Sequence, residues 1–76
     1  MIVTQKQKNL LSKYIDDLDK LIAFDDINDF LLKLDDLITE IGFDENYELN
    51  EEGLKLQKAY DEIYEQNWWD IKYERD

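Results

Sequence analysis

The chain contains no cysteine, no histidine and no proline, and only two glycines in 76 residues. Without cysteine there is no disulfide, no zinc–thiolate or iron–sulfur site and no thiol nucleophile. The lack of thiols suits a reducing compartment. Basic residues are scarce too: 9 Lys and Arg stand against 20 Asp and Glu, for a formal charge of −11. A protein that binds nucleic acid by neutralising phosphates needs a basic stripe, and docking on anionic lipid needs the same sign of charge. The balance therefore rules out nucleic-acid binding through phosphate neutralisation and argues against docking on anionic lipid, so neither nucleic acid nor membrane is expected as a direct partner. No apolar run approaches the roughly 18 residues of a membrane span. The opening Met1-Ile2-Val3-Thr4-Gln5-Lys6 has no apolar core of a secretory signal, so the expected location is the cytoplasm.

What remains is rich enough to fold. Apolar residues make up 43% and aromatic residues 13% of the chain, above the range of a disordered acidic tail. At this length one domain is expected over residues 1–76, because the chain sits near the lower limit for burying a core unaided.

The apolar spacing is helical throughout. Thr4 and Gln7 match a capping box, and Leu10, Leu11, Tyr14, Ile15, Leu18, Leu21 and Ile22 recur at steps of three and four. This predicts a first helix over 4–23. Asp25-Asp26, with Asp29 in the first turn, announces a second helix over 26–41 with Ile27, Phe30, Leu31, Leu34, Ile38 and Ile41 inward and Gly42 as a left-handed stop. The short connection at Phe24 predicts an antiparallel hairpin of these two helices. Residues 43–49 break the period, and their alternating Phe43, Tyr47 and Leu49 are expected to pin the loop to the core. Asn50 is a natural N-cap for a third helix over 50–72, whose inward stripe is Leu56, Ala59, Tyr60, Ile63, Tyr64, Trp68 and Ile71. The expected fold class is all-α, a small antiparallel three-helix bundle.

Catalysis finds little to work with. The available groups are carboxylates, Lys, Tyr, Ser12, Thr4 and Thr39. Paired carboxylates hydrolyse glycosides only across a cleft that holds the sugar, and three short helices fill their interior with Leu, Ile and aromatic rings. The Asp pairs 16–17, 25–26 and 35–36 are sequence neighbours that point about 100° apart on a helix. The chain is therefore expected not to be an enzyme and to carry no cofactor. The stretch from Asp44 has oxygen ligands at alternate positions, like a calcium-binding EF-hand loop. Leu49 nevertheless stands where that loop turns on glycine, Glu51 where an apolar residue is usual, and Lys55 where the bidentate glutamate belongs. An acidic loop ending in a helix N-cap is the favoured reading, with no metal.

Two features point to a macromolecular partner. Trp69 and Tyr73, four apart, share a face beside the inward stripe. They either close the open end of the bundle or form an exposed anchor of the kind enriched in interface hot spots. The second feature is the distribution of charge. Residues 1–15 carry +3, residues 16–52 carry −12 and residues 53–76 carry −2. Asp29, Asp36 and Glu40 recur at helical spacing, as do Asp16 and Asp19, and Asp44, Glu45 and Glu48 follow in the loop. Helix neighbours at this spacing lie about 5–6 Å apart, comparable with successive phosphates on a nucleic-acid strand. A small domain needs only about 2–8 net charges for solubility, so the excess calls for a reason.

The reading that follows is a protein-binding module, an inhibitor whose acidic face occupies the basic nucleic-acid site of a nuclease or other nucleic-acid-binding protein. In charge and size the chain resembles the small acidic inhibitors of phages and mobile elements, including anti-CRISPR and anti-restriction proteins that mimic DNA. That likeness implies a partner class and transfers no individual residue. The alternatives are a toxin-neutralising immunity protein, which also caps a basic nuclease site, and a helical regulatory or scaffold module that binds through Trp69 and Tyr73.

Overall fold

The computed structural model describes residues 1–70. It is all-helical, with four α-helices among the described residues: α1 (Gln5–Leu11), α2 (Leu18–Phe24), α3 (Ile27–Ile41) and α4 (Glu51–Gln66). A 3-10 turn, Trp68–Asp70, follows. The three-helix expectation is corrected in its first element. The helix predicted over 4–23 is two helices, broken across residues 12–17.

The break has a local and a global cause. Ser12, Asp16 and Asp17 compete with helical hydrogen bonding through their own side chains, and Tyr14 and Ile15 are weak helix formers. After Leu11 the chain tightens, Tyr14 N–H donating to the Leu11 carbonyl at 3.0 Å, and Asp17 restarts the helix as the N-cap of α2. Globally, an unbroken helix over 4–23 would be about 30 Å long against about 22–24 Å for α3 and α4. It would also hold its two ends a full helix length apart. Instead the ammonium of Met1 pairs with the Asp25 carboxylate, which requires α1 and α2 to fold back on each other.

The remaining termini follow local rules. Thr4 and Gln7 form the expected capping box, with Gln7 N–H on the Thr4 hydroxyl at 3.2 Å and Thr4 N–H on the Gln7 side chain at 2.9 Å. Asp26 caps α3 by accepting from the Asp29 amide, and Asn50 caps α4 by accepting from Gly53 at 2.7 Å. Asp25 ends α2 in the left-handed region at φ 59°. Gly42, expected there, is right-handed at φ −89°. Its lack of a side chain serves packing: a Cβ on Gly42 would stand 3.0 Å from the Gly53 Cα. α4 stops at Gln66 rather than continuing to 72, because Asn67 turns its side chain inward.

Side-chain contacts set the order of the helices. Gly42 meets Gly53, and Asp35 lies close enough to Tyr60 to act on its hydroxyl. The residue numbers in both pairs add to the same value, so α3 and α4 run antiparallel in one register, and theirs is the most extensive helix pairing. Gln7 donates to Glu62 and Gln66 near the end of α4, while Tyr14 donates to Glu52 at its start. α1 is therefore antiparallel to α4 as well, and the helices alternate up and down. The core is Leu11, Leu18, Ile27, Phe30, Leu31, Leu34, Ile38, Leu56, Ala59 and Ile63. Five of these ten come from α3, the central element. Ile41, expected inward, is exposed at the end of α3. Of the three loop residues expected to pin 43–49, Leu49 packs against the core while Phe43 and Tyr47 are exposed. No helix among the described residues is long and apolar enough to cross a membrane.

Candidate functional site

The two ends of the bundle differ in chemistry. At one end the backbone of Ile2 is held by Asn67, whose side chain accepts from Ile2 N–H at 2.6 Å and donates to the Ile2 carbonyl at 2.9 Å and the Ile63 carbonyl at 2.8 Å. The neighbouring Met1–Asp25 pair brings Phe24 to the same end. Ile2, Phe24, Trp68 and Trp69 are all exposed there, with Phe24 70%, Trp68 57% and Trp69 69% accessible. Trp68 is thus not an inward residue. The end of α4 at Asn67 rotates it off the stripe, and its ring lies tilted against Tyr64 with centroids 5.9 Å apart. Trp69 is likewise not a lid on the core. Tyr73, its expected companion, lies outside the described residues, as does Ile71.

At the opposite end, the 12–17 turn, the 42–50 loop and the start of α4 gather most of the expected acids. Asp36 and Glu40 line an open groove of about 290 Å³ with Ile15, Asp17, Lys33 and Leu37. Asp16 and Asp19 line a second groove with Lys8 and Ser12, and Ile15 also borders this one. The two clusters are therefore adjacent, on either side of the α1–α2 turn. Asp17 belongs to the first cluster and was not among the expected site residues. Its position in a turn hides it from helical-spacing arguments. Its side chain makes no capping hydrogen bond to α2, which leaves the carboxylate uncommitted to helix capping.

The other expected acids stand apart. Asp29 is half-buried in the first turn of α3, about 10 Å along the helix from Asp36. The Asp44 carboxylate accepts from the amides of Asn46 at 2.8 Å and Glu48 at 3.1 Å, so it builds the loop. Asp44 N–H also donates to the Glu48 carbonyl at 2.8 Å, closing a tight turn that presents Glu45 and Glu48 to solvent. Tyr47 at its tip is left-handed at φ 62° and 87% exposed. Among the described residues, no cluster of three or more acidic side chains is placed to hold a metal ion.

Ion pairing is sparse among the described residues. Among the described residues the one ion pair within 4.0 Å is that of the Met1 ammonium with Asp25. The carboxylates at 16, 17, 19, 36 and 40 face water without a lysine partner at that distance. Lys33 and Lys8 each line one of the two acidic grooves, and Lys6, Lys55 and Lys58 line a third groove between α1 and α4. One group inside the fold feels the acids. Burial pushes the Tyr60 hydroxyl above its ordinary pKa, and the Asp35 charge beside it adds to the rise.

Comparison with protein-family models, with curated proteins and with solved structures finds no match for this chain.

Proposed function

We propose that the chain is a non-enzymatic binding module whose acidic end occupies the cation-lined nucleic-acid site of a partner protein, a nuclease or another nucleic-acid handler. The observation that carries this reading is the adjacency of Asp16 and Asp19 to Asp17, Asp36 and Glu40 around Ile15, without ion pairing among the described residues. Unpaired like charges cost stability, and a domain of this size has little to spare. A basic groove on a partner relieves that repulsion on binding, steers the encounter and makes the complex sensitive to salt. An immunity protein that neutralises a nuclease toxin uses the same chemistry, and the identity of the captured protein separates the two.

The exposed Ile2, Phe24, Trp68 and Trp69 favour a second reading, a scaffold contact through the opposite end. One experiment distinguishes them. The tagged chain is used to capture partners from lysate at low and high salt, beside Asp17→Lys/Glu40→Lys and Trp69→Ala variants. The acidic-end reading expects the main partner to be lost at high salt and with the charge reversal, and to be released by a duplex oligonucleotide. Retention under all three conditions, with loss on Trp69→Ala, overturns it in favour of the aromatic end.

A further inference from the structure

The α1–α4 groove brings three lysines of this acidic chain together beside apolar side chains. Its volume is about 310 Å³, its floor is formed by Leu10 and Ala59, and Lys6, Lys55 and Lys58 stand at its edges. Glu62 also reaches the groove, but its carboxylate accepts from the buried Gln7 amide at 3.1 Å. Among the described residues no carboxylate lies within 4.0 Å of the three lysines, in a chain with 20 acids.

The complementary shape is on α3 of the same chain. Leu32 is 62% exposed, an apolar knob on a helix whose other aliphatic side chains mostly turn inward. Its helical neighbours at three and four residues are Asn28, Asp29, Asp35 and Asp36, so three of the four positions around it carry carboxylates. A leucine flanked by three acids and one amide is complementary to a groove lined by Leu10 and Ala59 with three lysines against the single carboxylate of Glu62, in both polarity and net charge. Leu32 belongs to the exposed surface of α3 and the groove to the α1–α4 side, so one copy does not fill its own groove.

We propose that the chain associates with a second copy of itself head to tail, Leu32 and its flanking carboxylates entering the lysine-edged groove of the neighbour. Such a contact is heterologous and leaves a free knob and a free groove at its ends, so assembly extends or closes into a ring. The net charge of −11 on each copy opposes approach, and the contact is small, which places it among weak interfaces seen at high protein concentration. Association would occupy the three lysines and three of the surplus acids at once.

Sedimentation velocity at protein concentrations up to about 1 mM, where contacts of about millimolar affinity register, tests this. The wild-type mass is expected to rise above the 9.3 kDa of one chain. Leu32→Glu alone and Lys55→Glu/Lys58→Glu alone are each expected to stay monomeric, with helical circular dichroism unchanged. Lys55→Gln/Lys58→Gln gives the same loss without adding acid. An equimolar mixture of Leu32→Glu with the lysine variant keeps one intact groove and one intact knob, so it is expected to form a dimer that grows no further. A wild type that stays at one chain mass throughout overturns the proposal, as does a variant that associates like the wild type or a mixture that remains monomeric. The Asp17→Lys/Glu40→Lys variant alters neither side of this contact, so failure here is distinguishable from failure of the partner reading.

Discussion

A Cβ built on Gly53 would stand 2.2 Å from the carbonyl oxygen of Gly42, an oxygen that also accepts from Asn50 N–H at 2.8 Å. The end of α3 and the start of α4 thus touch backbone to backbone, and both positions must lack a side chain. Gly53→Ala would gain about 1 kcal/mol of helix propensity in α4. It would also drive a methyl group into a backbone atom that has no rotamer by which to retreat. Overpacking of this kind costs about 1–3 kcal/mol, and its anchorage in backbone places it at the upper end. A lowered thermal midpoint is expected, whereas Leu54→Ala at the neighbouring exposed position should leave it almost unchanged.

Asn67 is the polar counterpart of that contact. Fully buried, it uses both side-chain polar atoms to pair with the backbone of Ile2 and Ile63. Asn67→Leu fills similar space but strands the part-buried Ile2 amide, at up to about 1–3 kcal/mol for a group left unsatisfied, while the Ile2 carbonyl keeps its hydrogen bond from the Gln66 side chain at 3.1 Å. With about 4–8 °C per kcal/mol for a domain of this size, the loss is visible in a melting curve. Release of the N-terminal segment should also appear as faster amide exchange at Ile2 while the α3–α4 pair keeps its protection. Unchanged exchange there would show that the clamp does not hold the segment.

These two contacts mark where sequence reading succeeds and where it stops. The Thr4 capping box, the Asn50 cap and the inward stripe of α3 from Ile27 to Ile38 depend on residues within a turn of their neighbours and were legible, whereas Ile41, expected on that stripe, is exposed. The break at 12–17 was not legible, because the apolar period runs through it from Leu11 to Leu18 without a gap. What decides it is the length of the α3–α4 pair and the return of Met1 to Asp25, both long-range. Asn67 carried a readable signal: it falls four residues after Ile63 on the inward stripe, where a continuing helix would bury an unsatisfied amide. Following the stripe past it to Trp68 buried a tryptophan that the structure exposes. The acids were easy to find and hard to group, since the clustering of Asp17 with Asp36 and Glu40 is made by that same unforeseen turn.

Tyr60 ties the acidic surface to alkaline stability. Its hydroxyl pKa is raised, first by burial and then by Asp35. A raised folded-state value means the folded chain holds the proton more tightly than the unfolded one. This contribution is complete below the ordinary tyrosine pKa of about 10 and is lost as pH rises through the folded value. Tyr60→Phe is therefore expected to flatten the alkaline fall in the thermal midpoint. Asp35→Asn removes only the second cause, so tyrosinate absorbance should show Tyr60 titrating earlier than in the wild type but still later than an exposed tyrosine. A wild-type titration in which all tyrosines ionise together at the ordinary value would contradict the burial assigned here.

The unpaired acids make a prediction about salt that needs no partner. Asp36 and Glu40 are four apart on α3, and like charges at that spacing oppose the helix by about 0.2–0.5 kcal/mol. Across the whole chain a charge of −11 pushes the compact state apart. Surface charges separated by more than about 10 Å are screened at 0.1 M salt. Adding sodium chloride should therefore raise the thermal midpoint steeply at first and then level off. Glu40→Gln should raise the low-salt midpoint, with the gain shrinking as salt is added. Stability governed by ion pairs would respond in the opposite sense, falling as salt weakens them. A midpoint that drops between low and moderate salt would mean that the carboxylates around Ile15 are already paired in solution, leaving no surplus charge for a partner to meet.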